Sequence, residues 1–188
     1  MKLLVAALDS ELVAFDLDPA GFERLVTGPG KLKAAYSLTR RLEAGRVDEI
    51  VVVGTAGSLA PAGSVEASGV FDIAVAIQHD VTDLEGVAGQ HVSLPARVET
   101  GRGTATIATG DSFVDDADAV AFIRGLGATL VDMEAYAYIW VAQQYGVPIT
   151  VLKAVSDNAQ DGATTHWDEA VAACSVTLRQ EITKRYGV

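Results

Sequence analysis

The chain has 188 residues and is 49% hydrophobic, which excludes a disordered polypeptide and leaves enough apolar material for a full core. Asp plus Glu number 25 against 14 Lys plus Arg, and the resulting net charge of −11 argues against a nucleic-acid or anionic-membrane partner. No stretch offers the about 18 consecutive apolar residues of a membrane span, and the opening MKLLVAALDSELVAF lacks the long apolar core and cleavage site of a signal peptide.

The expectation is one cytoplasmic domain over residues 1–188. Cys174 is the only cysteine, so no internal disulfide and no cysteine zinc cluster can form. Its apolar flanks point to a buried structural thiol.

In chain order, residues 3–8 form an apolar run of the kind buried on both faces of a sheet. Residues 22–27 read as a second strand, closed by Gly28-Pro29-Gly30. Residues 31–43 carry helical spacing, with Arg40, Arg41 and Gly45 marking the end. Residues 50–53 are another apolar strand, with Gly54-Thr55-Ala56-Gly57 as the turn after it. Residues 71–77 continue the pattern up to Gln78-His79-Asp80. Residues 83–99 are polar and contain Gly, with no assigned structure. Residues 103–108 read as a strand closed by Thr109-Gly110-Asp111, and residues 115–126 as a helix with Asp115, Asp116 and Asp118 in its first turn. Strands alternating with helices predict an α/β fold with a largely parallel central sheet.

The stretch 131–159 is the most informative. Residues 130–131 form a short strand, and an acidic pair then opens an amphipathic helix. Met133, Ala137, Trp140, Val141 and Gln144 share one face of it. Gly146 suits a left-handed C-cap, and Pro148 bars continuation. A β-rich run from Ile149 then reaches Ser156-Asp157. Ligands in open α/β sheets bind beyond the carboxyl ends of strands, so Asp157 is a candidate acid and Glu134 a second carboxylate within reach. The closing helix spans residues 167–186.

Other motifs carry less. Gly28-Pro29-Gly30-Lys31 lacks the spacing of a phosphate loop, and Gly54-Thr55-Ala56-Gly57 is no dinucleotide fingerprint. Ordinary strand-to-helix turns explain both, although a helix opening at Lys31 aims backbone N–H groups at an anion or a water. His79, His91 and His166 have no metal-ligand spacing.

Six segments, taken in order, resemble the purine nucleoside phosphorylase and nucleosidase superfamily, and most of all its methylthioadenosine/S-adenosylhomocysteine nucleosidases. They are Ala7-Leu8-Asp9-Ser10-Glu11-Leu12, Thr27-Gly28-Pro29-Gly30-Lys31, Val53-Gly54-Thr55-Ala56-Gly57-Ser58-Leu59-Ala60-Pro61, Thr109-Gly110-Asp111-Ser112-Phe113-Val114, Val131-Asp132-Met133-Glu134-Ala135 and Ala154-Val155-Ser156-Asp157. Each is weak alone; their shared order is specific.

The resemblance implies a fold of the nucleoside phosphorylase type and hydrolysis of the N-glycosidic bond of an adenosine-type nucleoside, with no cofactor or metal. It implies that Asp157 protonates purine N7, oriented by Ser156, and that Glu11 activates water. Glu134 would bind the ribose hydroxyls, with Met133 packed on the sugar. Phe113 would stack on the base, whose edge is read by Val114. Thr27, Thr55, Ala56 and Gly57 would contact substrate, and Trp167 and Leu8 would lie near the 5′ substituent. A homodimer follows from the same resemblance.

The superfamily's phosphorylases usually carry an Arg in the strand before the Gly-rich loop to clamp phosphate. Here Val51-Val52-Val53 stand in that place, which favours water as nucleophile. Lys31, Arg40 or an Arg of a second subunit keeps a phosphorylase open, and a non-catalytic nucleoside-binding relative is a further alternative. The stretch between Glu11 and Thr27 is shorter than in the resembled enzymes, so the fold is expected to be abbreviated near the N-terminus.

Overall fold

Side chains along the long apolar runs alternate between two cores, as the period-2 geometry of a strand buried on both faces requires. From β1 (Lys2–Ala6), β3 (Glu49–Ser58) and β8 (Ile149–Asp157), Leu3, Val5, Ile50, Val52, Ile149 and Val151 point one way. They meet Ala34 and Leu38 of α1 (Lys31–Glu43) and the body of α3 (Ala135–Tyr145). Leu4, Ala6, Val51, Val53, Leu152 and Ala154 point the other way, against Leu178 and Ile182 of α4 (Trp167–Tyr186). The structure, a computed structural model, describes residues 1–15, 21–61, 68–159 and 167–188, the side chain of Trp167 excepted.

The remaining strands are β2 (Phe22–Val26), β4 (Val70–Gln78), β5 (Arg97–Glu99), β6 (Ala105–Thr109) and β7 (Leu130–Asp132). A third small core lies between β4, β6 and α2 (Ala117–Gly125), built on Ile77, Ala108, Val120 and Ile123. The expected largely parallel sheet is instead mixed: five of the eight described pairings are parallel and three are antiparallel. The pairings β3–β8–β4–β6–β7–β3 also return to their start, so part of the sheet closes on itself like a small barrel. The ten residues of β3 make this possible. Its first half pairs with β1 through Val52, and its end pairs with β7 through Gly57 and Ser58.

Several local expectations are met. Helix α1 has the anticipated span, Asp116 caps α2 by accepting from the Ala119 amide at 2.8 Å, and Gly146 ends α3 at φ 64°. Others are corrected. Gly54-Thr55-Ala56-Gly57 is not a turn; it continues β3 beside β8, with a bulge at Ala56/Gly57. Met133 precedes α3 rather than joining its apolar face, and Gln144 is exposed. Residues 135–139 are all buried, because the first turns of α3 sit inside the fold rather than on it. Strand β5 falls within the stretch left unassigned from sequence. Among the described residues no helix is long and apolar enough to cross a membrane.

Candidate active site

A cavity of about 730 Å³ opens where the carboxyl end of β8, the end of β3 and the start of α3 converge. Local chemistry places each group in it. After β1 the chain turns through a 3₁₀ segment, Asp9–Leu12, which folds Glu11 back over the strand end. The amides of Ala7 and Leu8 donate to its Oε2 at 3.0 and 3.1 Å, and the Thr55 amide and hydroxyl donate to Oε1 at 2.7 and 3.0 Å. Glu11 is thus held by four donors while lining the cavity.

Asp157 ends β8. Its Oδ1 accepts from the Ala159 amide at 2.8 Å and its Oδ2 from the Ser156 hydroxyl at 2.7 Å. A Cβ on Gly57 would stand 3.1 Å from Oδ1, so glycine there lets the carboxyl lie against β3.

Glu134 occupies the N-cap position of α3, but Asp132 does the capping. Asp132 Oδ2 accepts from the Ala135 amide at 2.9 Å, and its Oδ1 accepts from the Thr109 hydroxyl at 2.7 Å. Thr109 in turn accepts from the Tyr136 amide at 3.0 Å. The Glu134 carboxylate is thereby left for the cavity, where its Oε1 accepts from the Gly30 amide at 2.9 Å. Burial raises its pKa from 4.5 to about 7; the Lys153 cation opposes the rise and the Asp132 charge reinforces it.

Lys153 is a fully buried cation in β8. Its Nζ lies 2.9 Å from Asp132 Oδ2 and 3.9 Å from Glu134 Oε2. Burial alone disfavours the ammonium, but Asp132, Glu134 and Glu11 outweigh it and hold its pKa above the ordinary lysine value. Nearby, the Tyr138 phenol is buried and shares a 2.6 Å hydrogen bond with the Thr27 hydroxyl. Burial first, and then the Glu134 charge, push its pKa well above the usual tyrosine value.

Of the residues singled out from sequence, Leu8, Glu11, Thr55, Ala56, Gly57, Phe113, Val114, Met133, Glu134, Ser156 and Asp157 all line this one cavity. Phe113 lines the cavity and is 45% exposed. Its loop is pinned by Asp111, which accepts from the Lys31 amide at 2.8 Å while its own amide donates to Asp80. Thr27 does not line the cavity; its hydroxyl serves Tyr138 and the Gly28 carbonyl. The side chain of Trp167 lies outside the described residues.

Lys153 was not anticipated as a site residue, although a lone cation inside an otherwise apolar strand run was the available signal. Asp168 and Glu169 at the start of α4 also line the cavity. Among the described residues no Lys, Arg or His lines it, and no group of three or more His, Cys, Asp or Glu is placed to hold a metal ion. Cys174 is buried beneath β8, its thiol 3.4 Å from the Val155 carbonyl and raised by burial to about 11.

The profile of the phosphorylase superfamily matches residues 90–184. The 5′-methylthioadenosine/S-adenosylhomocysteine nucleosidase of Geobacillus thermodenitrificans is 33% identical over 165 residues, covering 77% of this chain and 70% of that protein. The protein of the same name from Anoxybacillus flavithermus is 34% identical over 168 residues, covering 76% and 70%. Among solved structures, the S-adenosylhomocysteine nucleosidase of Streptococcus pyogenes in complex with 5-methylthiotubericidin superposes with a TM-score of 0.84 at 21% identity, over 100% of this chain and 97% of that one. The futalosine hydrolase of Helicobacter pylori superposes with a TM-score of 0.82 at 21% identity, over 97% of both chains. The chain belongs to the phosphorylase superfamily and, within it, to the family of 5′-methylthioadenosine/S-adenosylhomocysteine nucleosidases.

Proposed function

We propose that the cavity hydrolyses the N-glycosidic bond of an adenosine-type purine nucleoside carrying a modified 5′ position, such as methylthioadenosine or S-adenosylhomocysteine. The observation that carries this reading is that Asp157 and Glu134, held by separate hydrogen-bond sets, face one cavity beside the exposed ring of Phe113. Breaking the bond to C1′ passes through an oxocarbenium-like sugar, as in glycoside hydrolysis. The purine leaves poorly as an anion. A proton delivered to N7 by Asp157, steadied by Ser156, relieves it, and a positioned acid contributes about 10²–10⁴-fold. Glu134, ionised, accepts from the 2′- and 3′-hydroxyls and stabilises the positive charge developing on the ring.

Met133 packs on the sugar, Phe113 stacks on the base and Val114 borders its edge. Thr55, Ala56 and Gly57 contact the substrate from the end of β3, and Leu8 and Trp167 serve the side of the 5′ substituent. Glu11, whose oxygens are fixed by four donors, orients and deprotonates the attacking water. Thr27 acts indirectly, through Tyr138 and the Gly28 turn. No cofactor or metal enters these steps.

Water rather than phosphate is the nucleophile in this reading. A buried phosphate needs a cationic clamp, and among the described residues the cavity walls carry six carboxylates and no cation. A single cytoplasmic domain working as a homodimer completes the proposal. Leu84 is 92% exposed and Leu32 83%, apolar surface suited to a second copy.

The test is a panel of 5′-substituted adenosines and inosine, with and without phosphate, followed by release of free base and sugar. Base and free sugar, which keeps its 5-substituent, formed without phosphate support hydrolysis. Ribose 1-phosphate formed only with added phosphate makes the protein a phosphorylase, and binding without turnover makes it a nucleoside-binding relative.

A further inference from the structure

Among the described residues the charged side chains of the cavity wall are all carboxylates, and a buried cation sits behind them. Lys153 is 1% exposed, in the middle of β8, and does not line the cavity. Its ammonium emerges where β3 has no side chain. A Cβ on Gly54 would stand 3.0 Å from Lys153 Nζ and 3.1 Å from Glu11 Oε1, so glycine at this position lets both charged groups approach the same point. The ammonium contacts Asp132 at 2.9 Å and stands 3.9 Å from Glu134.

We infer that Lys153 is a positioning residue: its buried ammonium, wedged between Asp132 and Glu134, supplies the counter-charge that keeps the Glu134 carboxylate anionic and available to the cavity.

The surroundings of Glu134 leave no other group for this task. Asp132 on β7 and Glu11 on the 3₁₀ segment repel its charge, and Tyr138 on α3 is a buried neutral phenol. The Gly30 amide before α1 donates one hydrogen bond to Oε1. Lys153 on β8 is the only full positive charge among these neighbours. It is shared unequally, since Asp132 takes the hydrogen-bonded contact and Glu134 the longer one. Glu134 is accordingly the carboxyl of the pair that resists ionisation, at about 7. The arrangement makes Asp132 a competitor for the cation, and that sets the sign of the test.

This inference rests on the proposed nucleosidase reading for its purpose, but its test does not require turnover. Protein labelled with ¹³C at the glutamate carboxyls would be titrated by NMR, comparing the wild type with Lys153→Met, Lys153→Arg and Asp132→Asn. The Glu134 midpoint should rise by about 1–3 pH units in Lys153→Met. It should fall in Asp132→Asn, where the Asp132 repulsion is gone and the ammonium serves Glu134 alone, and stay close to the wild-type value in Lys153→Arg. Where hydrolysis is measurable, the acidic limb of kcat/KM should move the same way in each variant.

A Glu134 midpoint that fails to rise in Lys153→Met overturns the inference, whatever Asp132→Asn does. Should Lys153→Met fail to fold, the paired variant Lys153→Met/Asp132→Asn, which removes both partners of the buried contact, is read against Asp132→Asn alone: a higher Glu134 midpoint in the pair supports the role, and an equal or lower one refutes it. A wild-type protein that titrates as described yet cleaves no nucleoside would refute the proposed function and leave the charge coupling standing.

Discussion

Replacing Glu134 by Gln removes a charge at nearly constant volume, and the structure implies opposite consequences for stability and for catalysis. The amide oxygen can still accept from the Gly30 amide, and Lys153 keeps its 2.9 Å contact with Asp132, so the fold should survive. Glu134 titrates near 4.5 when unfolded and about 7 when folded. A carboxyl raised in this way adds stability that is fully present below 4.5 and lost as pH climbs through about 7. The gap corresponds to roughly 3 kcal/mol. Relative to wild type, the variant should therefore gain stability by up to roughly 3 kcal/mol between about pH 5 and about pH 8, read from urea unfolding at both. Catalysis should move the other way. A hydrogen bond to a charged group is worth about 1.5–3 kcal/mol, and about 1.4 kcal/mol is tenfold. A ribonucleoside with two such contacts should lose about 10²–10⁴ in kcat/KM, and a 2′-deoxyribonucleoside with one about 10–10². Equal losses on the two substrates would show that Glu134 does not hold the diol. A stability change independent of pH would show that its carboxyl is not strained by burial.

Asp157→Asn keeps an acceptor for the Ala159 amide and should fold normally. Turnover should drop by about 10²–10⁴-fold; near-normal turnover with an unchanged melting curve would remove Asp157 as the acid. Adding phosphate should change neither the rate nor the sugar product, because among the described residues the cavity walls offer it no cation; a phosphate-dependent rate would contradict this. Gly110→Ala would put a Cβ 2.3 Å from the Nε2 of buried His79 and should cost about 1–3 kcal/mol by overpacking. An unchanged denaturant midpoint would mean that the ring has room to move. Thr27→Val strips the buried Tyr138 hydroxyl of its 2.6 Å partner and should cost about 1–3 kcal/mol. Adding Tyr138→Phe should recover part of that loss, whereas strictly additive effects would show that the two hydroxyls are not coupled.

The local elements of this protein are written in local sequence. The apolar runs of β1, β3 and β8, the span of α1, the Asp116 cap and the Gly146 stop all follow from side-chain periodicity and backbone preference over a few residues. The wall of the cavity was legible as well, because its residues travel in short ordered motifs, and eleven of the thirteen singled out line one hollow. What tertiary structure decided is whatever depends on partners distant in the chain. Gly54–Gly57 looks like a turn until β8 lies beside it and supplies its hydrogen-bond partners. Met133 fits a helical stripe until Asp132 caps α3 two residues further on and leaves Met133 on the cavity wall. The mixed, partly closed sheet arises from pairings of β3 and β4 with several partners each. Lys153 is the clearest case: nothing next to it in sequence calls for a charge. Its ammonium is stable in the interior because Glu11, Asp132 and Glu134 arrive from three other elements, and an interior charge persists only where opposite charges and hydrogen bonds replace the water it has lost.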